Sequence, residues 1–196
     1  HRADEDERPG SGPGRRGRGR DRAADAPAGQ RLSDPDAAHG GQPIMWKTGH
    51  SYIKSKLAEE GAALAGEMSG HIFFAQDFYG FDDAFFAALK LLEYVTSQTN
   101  PVSKLIADTP YYISTPTIQV PTTDEDKYTV VTALVEQFKD EGFKLNDVNG
   151  ARVYVGDGWG LVRASSNTPT LVMRFEAKTQ EGLEAVQKIF REKLSA

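Results

Sequence analysis

The amino-acid composition changes abruptly near Gly41, and this change limits what each part of the chain can fold into. Between His1 and Gln42 the one large aliphatic residue is Leu32, no aromatic residue occurs, and Gly, Pro, Arg, Asp and Ala dominate. Such a segment buries too little apolar surface to offset the roughly 1–2 kcal/mol per residue that ordering a backbone costs. Residues 1–42 are therefore predicted to form a disordered tail ahead of a folded region.

A second interpretation of this tail concerns its reading frame. Bias toward Arg, Ala, Gly, Pro and Asp is what GC-rich DNA gives when it is translated out of frame. Residues 1–40 have this bias, so the tail is hypothesised to be out of frame, with the native frame resuming near 39–41. A natural tail is the alternative, and its Arg and Gly run over 15–20 then resembles tails whose guanidinium groups bind RNA phosphates and stack on bases. A low-complexity stretch without a partner is favoured, so no nucleic-acid partner is predicted.

The composition of the whole chain excludes several classes of protein. Its 196 residues include no cysteine, which excludes disulfides, Cys-based zinc sites and thiol nucleophiles. No apolar run approaches the roughly 20 residues that a membrane span requires, and a formal net charge of −5 gives no overall attraction to nucleic acid. A cytoplasmic protein without a membrane partner is predicted.

Residues 43–98 are predicted to form an incomplete α/β domain. Apolar residues at helical spacing predict a helix over 50–60 and a second helix that is capped by Asp82. Short apolar runs at 62–65 and 72–74 predict strands. Two short strands can cover only a small part of the apolar faces of the helices. We therefore expect this domain to expose apolar surface.

A linker is predicted over 99–110, followed by an α+β domain over 111–196. Thr123 and Asp126 form a capping box at the start of a helix, and the Asn149–Gly150 turn predicts a β-hairpin. Further strands and a closing helix follow. The pattern favours an antiparallel sheet with two helices on one side.

The Glu67 loop (residues 66–71) is the first candidate binding segment. Glu67 and Ser69 lie two residues apart, so their side chains point the same way in an extended loop. A carboxylate beside a hydroxyl suits hydrogen bonding to adjacent sugar hydroxyls. On composition alone, however, a solvated surface turn is favoured.

The Arg163 loop (residues 163–169) is the second candidate. An arginine can hold a phosphate with two parallel hydrogen bonds, and small donors with exposed backbone amides can complete the shell. Ser, Thr and Asn loops also occur without a ligand, because these side chains bond their own backbone. The residues alone leave the two possibilities balanced.

Histidine and acidic residues give no metal site. His39, His50 and His71 do not have metal-ligand spacing, and a lone histidine is more often structural or solvated than catalytic. The acidic run over 124–126 lies at a predicted helix N-terminus, where negative charge is favoured without any metal. No metal ligand is therefore assigned.

Six stretches carry a resemblance to a known family: Pro43–Ser51, Gly66–His71, Tyr79–Asp83, Ile113–Pro116, Gly158–Ser165 and Arg174–Ala177. Each is weak alone, but together they have the order and spacing of the bacterial phosphomannomutase/phosphoglucomutase branch of the α-D-phosphohexomutase superfamily. Members of this kind have four domains. The resemblance implies that 43–98 is the later half of the third, α/β domain and that 111–196 is the fourth, α+β domain.

The resemblance implies sugar contacts for the first loop. Glu67 and Ser69 would hold hydroxyls that glucose and mannose share, which explains how one site accepts both epimers. His50 and His71 fall where the family has histidines near the ligand. His71 is a candidate for proton transfer, and no other catalytic residue is implied in this chain.

The resemblance implies phosphate contacts for the second loop. Arg163 and Ser165 match the family loop that binds the phosphate not being transferred, and Ser166, Asn167 and Thr168 complete the implied set. The family has Asn or Gly and then Thr after this serine, so Ser166 and Asn167 depart from its pattern. Both residues can still donate hydrogen bonds.

The reaction implied for the intact family is reversible intramolecular phosphoryl transfer between hexose 1-phosphate and hexose 6-phosphate, through a phosphoserine and with Mg²⁺. The serine loop and the Asp-Gly-Asp type magnesium loop of the family have no counterpart in this sequence. We therefore expect a phosphorylated hexose as partner, no Mg²⁺ bound by this chain, and no mutase activity from it alone. The alternative is a non-catalytic phosphosugar-binding or interaction module.

Overall fold

A computed structural model describes residues 21–25, 41–105, 107 and 109–195. The first of two units has a four-stranded sheet in the order β2-β1-β3-β4, made of β1 (Asp21–Asp25), β2 (Gln42–Trp46), β3 (Leu64–Gly66) and β4 (Ile72–Phe74). Strand β1 runs parallel to β2 and β3, and β3 pairs antiparallel with β4. Its helices are α1 (His50–Glu60), α2 (Ala84–Thr96) and the short α3 (Val102–Leu105).

Strand β1 corrects the prediction of a disordered tail. Residues 21–25 pair with two neighbouring strands and Gln42 begins β2, so the prediction is wrong for these residues. A strand in this place has its backbone N–H and C=O groups paired on both sides, a stabilisation that does not depend on hydrophobic content. The rest of the predicted tail, including the Arg and Gly run over 15–20, lies outside the described residues.

Helix α1 has the predicted bounds and contributes side chains to the core of the first unit. Ile53 and Leu57 are buried against Ala65 of β3 and Phe73 of β4. The predicted helical spacing of these two side chains is therefore what brings α1 onto the sheet. This packing also holds the start of α1 close to the Glu67 loop, which joins β3 to β4.

Helix α2 exposes its apolar residues, as expected for this domain. Phe85 is 86% exposed and Leu89 is 64% exposed, and no residue of α2 is buried. The predicted cap is wrong by one residue. Asp83, rather than Asp82, accepts a hydrogen bond from the N–H of Phe86 at 2.8 Å.

The second unit is an antiparallel sheet with two helices, as predicted. Its order is β5-β10-β9-β8-β7, and β6 also pairs with β10. The strands are β5 (Ile113–Ser114), β6 (Ile118–Pro121), β7 (Leu145–Asn146), β8 (Ala151–Val155), β9 (Gly158–Ala164) and β10 (Thr170–Ala177). Helices α4 (Asp126–Asp140) and α5 (Gln180–Leu194) pack on this sheet. In the described part of the chain, every helix is either too short or too polar to span a bilayer.

Alternation along β9 gives the sheet two distinct faces. Val162 packs in the core with Phe138 of α4 and Phe190 of α5. Gly160 lies on the same face, and Arg163 on the opposite one, because successive strand residues point to opposite sides. The helices therefore cover one face of the sheet and leave Arg163 on the other.

The backbone at Gly160 lies against two aromatic rings of this core. A Cβ atom added there would stand 2.4 Å from Cε2 of Phe190 and 2.8 Å from Cδ1 of Phe175. Gly160→Ala is therefore expected to destabilise the protein by about 1–3 kcal/mol, because two packed rings must move. Urea unfolding followed by circular dichroism measures this loss.

The matched control is Gly142→Asn. No described atom lies within 4 Å of a Cβ added at Gly142, whose φ is +77°, and Asn tolerates left-handed backbone better than other residues. We expect a loss below about 1 kcal/mol there. An equal loss for both variants would show that close packing at Gly160 is not what limits stability.

Candidate functional site

The Glu67 loop is held by its own backbone and by the start of α1. The N–H of Glu67 donates to the carbonyl oxygen of His71 at 2.8 Å, and the N–H of Gly70 donates to that of Glu67 at 3.0 Å. The Glu67 carboxylate accepts from the N–H of Gly49 and from the hydroxyl of Ser69, both at 3.3 Å. The structure thus brings the Glu67 and Ser69 side chains together.

His71 forms a pair with Asp82 at the edge of this loop. Its Nδ1 lies 2.5 Å from Oδ2 of Asp82, and both side chains are partly exposed. A carboxylate that accepts from Nδ1–H fixes the ring orientation and leaves Nε2 as the nitrogen available to a ligand. Sequence analysis missed this role of Asp82, although Asp82 lies in the family-like stretch Tyr79–Asp83. His50, in contrast, is the exposed first residue of α1.

Ser165 organises the Arg163 loop, which joins β9 to β10. Its Oγ accepts from the N–H of Asn167 at 3.3 Å, from the N–H of Thr168 at 3.2 Å and from the hydroxyl of Thr168 at 2.9 Å. Two of the backbone amides expected to face a phosphate therefore donate within the loop instead. Because Ser165 is the acceptor in all three bonds, its own hydrogen can donate to a ligand. The exposed Ser166 donates to Oδ1 of Asn167 at 3.3 Å.

Lys127 holds this loop from α4, a role that sequence analysis missed. Its Nζ lies 3.2 Å from the carbonyl oxygen of Thr168 and 2.7 Å from Oδ1 of Asp124, and the residue is only 3% exposed. Half of the predicted capping box is present: Oγ1 of Thr123 accepts from the N–H of Asp126 at 2.9 Å, while the Asp126 carboxylate accepts from the hydroxyl of Thr123 at 2.8 Å. Two of the three acidic residues near this helix start therefore have structural partners.

A direct hydrogen bond joins the two units close to both loops. Nδ2 of Asn149 donates to Oγ1 of Thr48 at 3.1 Å. Asn149 lies in the turn between β7 and β8, which packs against β9 at Arg163. Thr48 lies one residue before Gly49, whose N–H donates to the Glu67 carboxylate. Contacts thus link one loop to the other across the two units.

The two loops offer complementary chemistry. Glu67 provides a carboxylate at one loop, with the His71–Asp82 pair at its edge, whereas Arg163 provides a positive charge at the other. The buried Lys127 is neutralised by Asp124 and holds the loop in place. This arrangement suits a ligand with hydroxyls at one end and a phosphate at the other. Among the described residues, no group of three or more His, Asp or Glu side chains could hold a metal ion.

Two family descriptions match the two units. Residues 21–112 match "Phosphoglucomutase/phosphomannomutase, alpha/beta/alpha domain III", and residues 118–193 match "Phosphoglucomutase/phosphomannomutase, C-terminal domain". The first match begins inside the segment that was predicted to be a tail, as strand β1 does.

Curated relatives agree with these matches. A phosphomannomutase/phosphoglucomutase of Pseudomonas syringae pv. tomato is 44% identical over 180 residues, which are 92% of this chain and 39% of that protein. A phosphoglucomutase of Neisseria meningitidis is 44% identical over 155 residues, 78% of this chain and 34% of the relative. The chain spans well under half the length of the relatives it matches.

Solved structures share the fold. A phosphoglucomutase/phosphomannomutase family protein of Burkholderia thailandensis has a TM-score of 0.81 and 39% identity, over 90% of this chain and 37% of that chain. The Aspergillus fumigatus N-acetylphosphoglucosamine mutase in complex with GlcNAc-6P and magnesium has a TM-score of 0.63 and 12% identity, over 89% of this chain and 38% of its own, a likeness of fold alone. With both of its units matched in order, this chain belongs to the phosphoglucomutase/phosphomannomutase family, of which it carries domain III and the C-terminal domain.

Proposed function

We propose that this chain supplies the sugar-binding and phosphate-binding part of a phosphohexomutase that interconverts hexose 1-phosphate and hexose 6-phosphate. The observation that carries the proposal is the linkage of the Glu67 loop to the Arg163 loop through the hydrogen bond of Asn149 to Thr48. Each loop suits one end of a phosphohexose. The names of the relatives support glucose and mannose phosphates as the substrate class.

The Glu67 loop is proposed to bind the sugar. The Glu67 carboxylate accepts hydrogen bonds from adjacent hydroxyls, and the neighbouring Ser69 hydroxyl can both donate and accept. Contacts with hydroxyls that glucose and mannose share would let one site bind both sugars. His71, oriented by Asp82, is the candidate for moving a proton, and His50 is a further candidate contact.

The Arg163 loop is proposed to bind the phosphate that is not being transferred. The Arg163 guanidinium supplies charge-assisted hydrogen bonds, and the Ser165 hydroxyl donates while its oxygen holds the loop. The side chains of Ser166 and Asn167 supply small donors, and Thr168 fixes the loop on Lys127. Small donors around one guanidinium suit a site that must accept the phosphate of either substrate or product.

Magnesium is not assigned to the described residues. In phosphoryl transfer Mg²⁺ neutralises charge on the transferring group, but no group of three described His, Asp or Glu side chains could ligate it. We propose that these residues bind and orient the phosphohexose instead. A cytoplasmic location stays a prediction.

A non-catalytic interaction module is the second candidate, and the surface of α2 favours it. An open groove of about 880 Å³ lies between α2 and the sheet, lined mainly by Leu64, Ile72, Phe74, Leu91 and Tyr94. Together with the exposed outer residues of α2, it is an apolar surface that another polypeptide could cover.

The purified 196-residue chain is expected to convert no mannose 1-phosphate to mannose 6-phosphate in the presence of Mg²⁺. The reason is that the serine and metal loops of the family have no counterpart in its sequence. A coupled assay that detects mannose 6-phosphate measures this. Turnover that is lost on Arg163→Met would contradict the prediction.

Arg163→Met is expected to weaken the binding of glucose 1-phosphate about tenfold or more. Removal of a charge-assisted hydrogen-bonding partner costs about 1.5–3 kcal/mol, and titration calorimetry measures the change in Kd. Arg191→Met, on the exposed side of α5, removes the same charge elsewhere and should leave Kd unchanged. Equal weakening by both variants would point to general electrostatic attraction instead of a phosphate site.

Ser165→Ala is expected to loosen the Arg163 loop. Three donors from Asn167 and Thr168 lose their acceptor, which costs about 1–3 kcal/mol in local stability. Hydrogen exchange of the Asn167 and Thr168 amides should become at least fivefold faster. Ser166→Ala, which removes one exposed hydroxyl from the same loop, is the control and should leave both exchange rates within twofold of the original.

A further inference from the structure

The hydrogen bond between the two units joins two residues that are each connected to one of the binding loops. The hydrogen bond from Nδ2 of Asn149 to Oγ1 of Thr48 is 3.1 Å long, and both residues are half-buried. A side-chain hydrogen bond between units, shielded in part from water, favours one relative orientation over others. Its consequence depends on how firmly each partner is attached to its own loop.

On the side of the first unit, Thr48 is attached to the Glu67 loop. The next residue, Gly49, donates its N–H to the Glu67 carboxylate at 3.3 Å and accepts the first helical bond of α1 through its carbonyl oxygen, from the N–H of Ile53 at 3.0 Å. Ile53 is fully buried. A displacement of Thr48 therefore moves the Glu67 carboxylate or breaks its hydrogen bond.

On the side of the second unit, Asn149 is attached to Arg163. Gly150 has φ +98°, and a Cβ added there would stand 2.4 Å from the carbonyl oxygen of Val162 and 2.8 Å from Cβ of Arg163. The turn therefore lies directly on the backbone of β9. A side chain at Gly150 would push the turn and β9 apart.

An exposed ion pair joins the same turn to α4. Nζ of Lys139 lies 3.0 Å from Oδ2 of Asp147. The hydrogen bond to Lys139 lowers the pKa of the Asp147 carboxyl below its ordinary value, which is the direction expected for a carboxylate that the lysine stabilises. The turn therefore contacts β9 on one side and α4 on the other, and its close approach to the backbone of β9 is what ties it to Arg163.

We infer that the Asn149 to Thr48 hydrogen bond is a latch that sets the spacing between the Glu67 loop and the Arg163 loop. This inference rests on the proposed function, because a fixed spacing matters for a ligand that contacts both loops. A phosphohexose places hydroxyls on one loop and a phosphate on the other. Its binding therefore costs less when the two loops are already held at the required distance. Inorganic phosphate contacts one loop and gains nothing from the latch.

The first test measures the spacing in the free chain. The protein has no cysteine, so Lys54→Cys on α1 and Gln137→Cys on α4, both exposed positions, give two unique spin-label sites. Double electron–electron resonance should show a narrow distance distribution for the labelled chain and a broader one after Asn149→Ala. An unchanged distribution overturns the latch.

The second test measures binding of two probes by titration calorimetry. Asn149→Ala and Thr48→Val should each weaken mannose 6-phosphate about three- to tenfold, the expected effect of one lost hydrogen bond, and leave inorganic phosphate unchanged. The double variant should be no weaker than either single variant, because both remove the same bond. Equal weakening of both probes, or additive losses, overturns the latch.

Two controls separate the latch from a folding defect and from the proposed function. Asn149→Leu keeps a similar side-chain size but can neither donate nor accept a hydrogen bond, and should reproduce Asn149→Ala while circular dichroism shows that the chain stays folded. Asn100→Ala at an exposed position should change neither readout. If Asn149→Leu behaves as the original chain, the latch is overturned. If the original chain binds neither probe, the proposed function fails, and the distance distributions still decide whether the latch exists.

Discussion

The pairing of β9 with β10 is the interaction on which both the core and the candidate site depend. One ladder pairs Gly160 with Phe175 and Arg163 with Val172. The register that places Gly160 beneath the ring of Phe190 therefore also fixes Arg163 on the sheet face that the helices do not cover. A slip of one residue would exchange the two faces. The core packing thus determines where the guanidinium group lies.

Elements with local signals could be predicted from the sequence. The capping box needs Thr123 and Asp126 three residues apart, and the hairpin needs Asn149 and Gly150 in succession, so each signal lies within a few residues of the structure it specifies. Strand β1 could not be predicted in this way. Its partners begin 21 or more residues later, as in the pairing of Asp21 with Gln42, and its stabilisation comes from backbone pairing that composition does not reveal.

The same difference between local and long-range contacts applies to the residues of the candidate site. Glu67 and Ser69 were predicted as neighbours because residues two apart share a side, and their side chains are hydrogen-bonded at 3.3 Å. The contact of Lys127 with Thr168 spans 41 residues of sequence. Its existence depends on β6 and α4 lying beside the Arg163 loop, a consequence of sheet topology. A lysine near the start of a helix gives no local sign that it is buried.

The exposed surface of α2 shows a further property that local sequence patterns do not predict, namely which residues of a helix become buried. Its apolar periodicity predicts a helix correctly, but periodicity does not say what covers the apolar residues. Within the described part of the chain the two short strands β3 and β4 offer little surface for them, so Phe85 and Leu89 stay exposed. Helix formation is thus specified locally, whereas burial requires a packing partner.

The internal bonding of the Arg163 loop bears on the proposed binding of a phosphate. Because Ser165 accepts from Asn167 and Thr168, the loop is ordered before a ligand arrives, and binding costs less conformational entropy. The same bonds occupy two backbone amides, so the guanidinium and hydroxyl groups would supply the contacts to a phosphate. Side-chain donors can rotate, whereas backbone amides cannot. A loop built in this way therefore suits the proposed role, in which it would bind the phosphate of either a hexose 1-phosphate or a hexose 6-phosphate.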